Sequence, residues 1–168
     1  MTKGFDQRGF TLIEIIVVFT IIAILSVIGV AAFVSYSRVQ TLETSASNLK
    51  STLFLAKSRA LSQVKPPEIT QCNNQILNGY KVVLCPTSSS NTLCSSPNSY
   101  VLGIICSNFS YRVQSTNLPQ NITIDSRTVP MSFYFPVISS GVGSAGSIYL
   151  TGYGNTRIIT IDSIGGIQ

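Results

Sequence analysis

Phe10-Thr11-Leu12-Ile13-Glu14-Ile15-Ile16-Val17-Val18-Phe19-Thr20 opens an apolar run that continues to Val34, and Glu14 is its only formal charge. From Ile15 to Val34, 20 residues pass without a charged side chain. At about 1.5 Å of rise per residue, a helix of that length crosses a hydrocarbon core about 30 Å thick. The stretch 10–34 therefore reads as a membrane span. An ionised Glu in such surroundings costs about 2.5–3.5 kcal/mol on insertion scales, so one kept there calls for a partner. The nine residues in front, MTKGFDQRG, are short and polar and end in glycine. A cut between Gly9 and Phe10 would create an α-amine four positions before Glu14, on the same helical face. With a reference pKa of about 7.7–8.0, that amine is mostly cationic at neutral pH and supplies the missing counter-ion.

Three blander readings compete. A glycine before an apolar run is common by chance, but the short basic leader and the placed Glu together argue against coincidence. A secretory signal peptide would need an A-x-A-like site, and Gly29-Val30-Ala31 could serve, but an acid near the start of the run argues against it. A signal anchor explains the span but not the glycine, the short leader and the placed Glu together. Lys3, Arg8, Gly9, then Phe10 to Glu14 and the long apolar run resemble the class III signal of bacterial type IV pilins and type II secretion pseudopilins. The resemblance implies that prepilin peptidase cuts after Gly9 and methylates Phe10, and that Glu14 pairs with a neighbouring subunit's N-terminus during assembly. It also implies other pilin subunits and an inner-membrane assembly platform as partners. The signal is common to both machineries and does not choose between them.

Outward from this stretch, about 134 residues lie beyond the span, enough for one domain with its own core. Charged residues make up 10% of the chain against a usual ~25%, which suits a subunit that packs among others. The net charge of +5 falls to +4 without the leader, and the remaining basic residues are scattered without a run. Cys72, Cys85, Cys94 and Cys106 contain no C-x-x-C spacing, and there is no histidine, so disulfides in an oxidising, extracytoplasmic compartment are expected rather than zinc. Three connectivities are open. Closure of short loops around strand-like segments favours Cys72–Cys85 with Cys94–Cys106.

Val39, Leu42, Ala46, Leu49, Leu53, Ala56 and Ala60 recur at steps of three and four, one apolar stripe on an otherwise polar helix. The spacing predicts one helix from about Phe10 to Gln63, ended by Pro66-Pro67. Beyond Gly79 the period becomes two. Strands are expected at Tyr80–Cys85, Tyr100–Cys106, Phe109–Gln114, Ile122–Asp125, Met131–Phe135, Ser147–Thr151 and Arg157–Asp162, with Gly152-Tyr153-Gly154-Asn155 as a hairpin turn. The expected class is α+β, a long N-terminal helix packed on a C-terminal antiparallel sheet. Its expected organisation is a leader at 1–9, a transmembrane and assembly helix at 10–34, the amphipathic second half at 35–65 and a β-rich extracytoplasmic domain at 66–168.

Leu49 to Ala60, with Ser147 to Leu150 and Arg157 to Ile161, is similar to the GspH/FimT group of minor pilins and pseudopilins. That likeness implies the pilin fold and a structural subunit at or near a filament tip. It implies single-pass insertion in the inner membrane through Phe10–Val34 with the domain outside, then an extracellular filament. An enzyme is not expected. No Cys-His pair is available, and the acids Glu43, Glu68, Asp125 and Asp162 show no acid/base spacing. Nothing calls for a cofactor or a metal. The alternative in a different class is DNA uptake, since some FimT-like pilins bind DNA through C-terminal basic residues, with Arg112, Arg127 and Arg157 as candidates here. Gly165-Gly166-Ile167-Gln168 lacks the arginines those relatives carry around the glycine, so nucleic acid is not the favoured partner.

Overall fold

The computed structural model describes residues 11–87, 91–107, 109–139 and 141–168, with the backbone but not the side chains of 27–29 and 31. The chain divides into two compact units, Met1–Arg38 and Val39–Gln168. In the first, the described residues belong to helix α1 (Leu12–Leu61) and its cap. Hydroxyls inside the apolar run bond back to the helix, Thr20 to the Val17 carbonyl at 2.8 Å and Ser26 to that of Ile22 at 2.7 Å. They therefore present no unsatisfied polar group to an apolar surrounding. The described large apolar side chains are exposed, with Leu12 at 78%, Phe19 at 67% and Phe33 at 71%. Among the described residues no helix is long and apolar enough to cross a membrane. Part of the stretch 10–34 lies outside that description.

The second unit contains the remainder of α1. Leu42, Ala46, Leu49, Leu53, Ala56 and Ala60 are buried, as the stripe predicts. Val39, the first residue of the unit, is 39% exposed and stands outside the core. The helix also ends earlier than Pro66-Pro67 suggests. Gln63 takes a left-handed φ of 53°. Its N–H bonds to the Ala60 carbonyl at 3.2 Å, and the Val64 N–H reaches the Arg59 carbonyl at 3.3 Å. Those two bonds are a Schellman motif, which satisfies the last carbonyls and turns the chain before the prolines are reached.

Among the described residues seven strands follow, close to the expected segments: β1 Leu77–Cys85, β2 Ser99–Cys106, β3 Phe109–Asn117, β4 Ile122–Ile124, β5 Ser132–Pro136, β6 Gly146–Gly152 and β7 Asn155–Ile161. They form two antiparallel sheets rather than one, in the orders β3-β2-β1-β5 and β4-β6-β7. The β6–β7 turn is the expected hairpin. Gly152 opposes Asn155, and Tyr153 and Gly154 both have positive φ, 53° and 78°, as a type I′ turn requires. The C-terminal residues return along β7: Gln168 exchanges two backbone bonds with Thr160, both 3.0 Å, and Ile167 bridges Ile161.

One core joins the α1 stripe to the inner faces of both sheets, through Tyr80, Leu102, Ile104, Phe133, Ile148 and Leu150 among others. The unit is thus α+β, a helix on antiparallel sheets, consistent with a pilin fold. A second small cluster lies on the outer face of the larger sheet, where Leu93 covers Val83 and Val101. Leu93 sits so close to Gly103 that a Cβ there would approach its Cδ1 to 3.2 Å.

All four cysteines are bridged, but not in the expected pairs. The bonds are Cys72–Cys106, Cys85–Cys94. The reason is strand direction. β1 and β2 run antiparallel, so Leu77 opposes Cys106 while Cys85 opposes Ser99. Cys72, shortly before β1, therefore meets the end of β2, and Cys94, shortly before β2, meets the end of β1.

Candidate functional site

Thr11 stands immediately before α1, and its hydroxyl accepts a hydrogen bond from the Glu14 N–H at 3.3 Å. Thr11 is thus the N-cap and Glu14 the third helical residue, where a carboxylate meets the positive end of the helix dipole. The pattern Thr-x-x-Glu is itself a capping-box signature, a local signal for an acid at this position that the need for a charged partner does not use. Glu14 is exposed. Gly9 and Phe10, the expected cleavage and methylation positions, lie outside the described residues.

Residues 4–30 match the prokaryotic N-terminal methylation motif. The chain carries the type IV pilin and pseudopilin signature. That signature marks a precursor of the pilin type processed by prepilin peptidase, and implies a membrane-anchored precursor and assembly with other pilin subunits. Its families are structural rather than enzymatic. No curated protein and no solved structure matches the chain.

The three candidate arginines are not brought together. Arg157, on β7, opposes the buried Leu150 and so points to the inner face of the smaller sheet, where its Nε donates to Glu43 of α1. Arg127 lies over the ring of Tyr149, 4.9 Å from its centroid. Tyr149 is the neighbour of Leu150 along β6, so it faces the opposite way, and Arg127 and Arg157 occupy opposite faces of one sheet. Arg112 is on β3, in the other sheet.

Arg127 is also held by an acid. Its backbone N–H and Nε donate to Asp125 Oδ1 at 2.9 and 3.1 Å, and Nη2 to Oδ2 at 2.8 Å. These side-chain bonds first, then the backbone bond, lower the Asp125 pKa to about 2. Sequence spacing gives no hint of the Glu43–Arg157 pair, since 114 residues separate its members. Among the described residues no group of three or more His, Cys, Asp or Glu side chains could hold a metal ion.

Proposed function

We propose that the chain is a minor pilin or pseudopilin, a structural subunit of a type IV pilus or a type II secretion pseudopilus. Prepilin peptidase cuts between Gly9 and Phe10 and methylates the Phe10 amine. The helix over 10–34 holds the precursor in the inner membrane, with the β-rich domain outside, and the subunit then enters a filament at or near its tip. Glu14 pairs with the N-terminus of a neighbour there.

The observation that carries this reading is the methylation motif at 4–30, leading into a helix whose described large apolar side chains between Leu12 and Val34 are exposed. Such a helix needs lipid or neighbouring helices around it. The likeness to GspH/FimT minor pilins supports the placement at the tip. Mass spectrometry of the mature protein from its native host, with and without reduction, tests the proposal. A chain beginning at methylated Phe10 is expected, about 4 Da lighter before reduction, because each disulfide removes two hydrogens. A start at Ala32, or an uncut Met1, would overturn it.

A further inference from the structure

β7 is an edge strand, and its outer edge is only partly closed. Hydrogen-bond phase follows from the hairpin: Gly152 and Asn155 close the turn, so 155, 157, 159 and 161 turn their backbone groups toward β6, and 156, 158 and 160 turn theirs outward. Thr160 confirms the phase, because its outward N–H and C=O meet Gln168. Among the described residues no backbone hydrogen bond closes the edge at Thr156 or Ile158. Beside Ile158 runs a groove of about 200 Å³ between β7 and α1, lined by Glu43, Ser47, Lys50, Arg157 and Ile158 among others. Glu43, Ser47 and Lys50 are spaced by four and three, so they present one helical face to it. With Arg157, that wall carries two cations and one anion.

We propose that this groove accepts an extended segment of a neighbouring subunit, which adds a short antiparallel strand to β7 and places an acidic side chain between Lys50 and Arg157. The occupant's origin rests on the pilin reading above. Two observations select it. The edge already takes backbone pairing at Thr160, through Gln168, and a segment beside Ile158 and Thr156 meets outward donors and acceptors in the same phase. Residues of the new strand opposite Arg157 point inward, to the wall where Lys50 is the charge left over once Glu43 is matched to Arg157, and that position calls for a carboxylate. Backbone pairing supplies the attraction and the alternate side chain the selectivity, as in other strand-addition interfaces.

The test uses the full chain in detergent micelles, labelled for NMR, titrated with the acetylated and amidated pentapeptide Thr-Val-Glu-Val-Thr and with its counterpart carrying Lys in place of Glu. The Glu peptide is expected to shift the Thr156 and Ile158 amides, and the Lys peptide to bind more weakly. Lys50→Glu should weaken the Glu peptide by about fivefold and favour the Lys peptide. Ile158→Pro, which removes an outward N–H, should abolish both. Equal binding of the two peptides, or shifts confined to other strands, would overturn the proposal whatever the mature N-terminus proves to be. A photo-cross-linker at Ser47 in the native host should join an acid-containing segment of another filament subunit. A filament that incorporates the protein without that adduct would overturn the neighbour as occupant while leaving the pilin reading intact.

Discussion

The Arg157 guanidinium on β7 donates to the Glu43 carboxylate on α1. Both side chains are about half exposed, 44% and 54%, so the pair contributes less than about 1 kcal/mol to stability. Its larger effect is on charge. One of the three candidate cations is already matched, and Arg127, matched by Asp125, is on the other face of the sheet. Phosphate binding strengthens with the number of simultaneous contacts, and this surface offers few. A gel shift with the full chain at about 50 mM salt should show no retardation of duplex DNA. Retardation lost on changing Arg112, Arg127 or Arg157 to Ala would restore the nucleic-acid reading.

Gln63 occupies a backbone conformation that L side chains adopt at a cost. Glycine carries no such penalty, so Gln63→Gly should stabilise the fold by about 0.5–1 kcal/mol despite its freer unfolded state. For a unit of this size that is about 2–4 °C in Tm, measurable by thermal unfolding in micelles. An unchanged or lowered Tm would mean that the Schellman turn is not held in solution.

Proteolysis without reduction should yield peptides joined through Cys72–Cys106 and Cys85–Cys94. The first bond spans 34 residues and the second 9. On chain entropy alone they stabilise by about 3.8 and 2.6 kcal/mol, so the Cys72→Ser, Cys106→Ser double variant should lose about 1 kcal/mol more than the Cys85→Ser, Cys94→Ser one. Denaturant midpoints of the two variants decide the order. Recovery of Cys72 joined to Cys85 would contradict the register of β1 and β2.

Because its folded pKa is depressed, Asp125 stabilises the fold fully above the ordinary carboxylate value of about 3.9, and that contribution disappears as pH falls toward about 2. Carboxyl-carbon NMR should find its midpoint near 2. Arg127→Ala should return the midpoint to the ordinary range. A wild-type midpoint near 3.9 would show that the Arg127 bonds are not maintained.

The helix stripe is legible in the sequence because burial on one side of a helix imposes its own period, and Leu42 to Ala60 repeat it without interruption. Val39 fits the period but lies at the margin of the unit, beyond what the core reaches. The strands are legible for a similar reason. Alternation says which face a strand buries, however, not which neighbour it takes, so the split into two sheets is hidden. The expected cysteine pairing fails on that same point, since loop length carries no information about strand direction. At Gln63 a Schellman turn is made by a residue that does not advertise it, whereas Gly or Asn would have. At the candidate site the N-terminal motif is local and fully written in the chain. The fate of Arg157 depends on Glu43, a partner only the fold supplies.

The two disulfides close both ends of the β1–β2 hairpin, and this gives the domain a mechanical character. Tension entering the chain at Cys72 passes directly to Cys106, 34 positions further along, through the sulfur bridge, and the chain between them lies outside the load path. If the domain were pulled open, about 110 Å of chain would stay unreleased. A subunit built this way yields less length under force, and its hairpin would keep its shape while the rest of the domain extends.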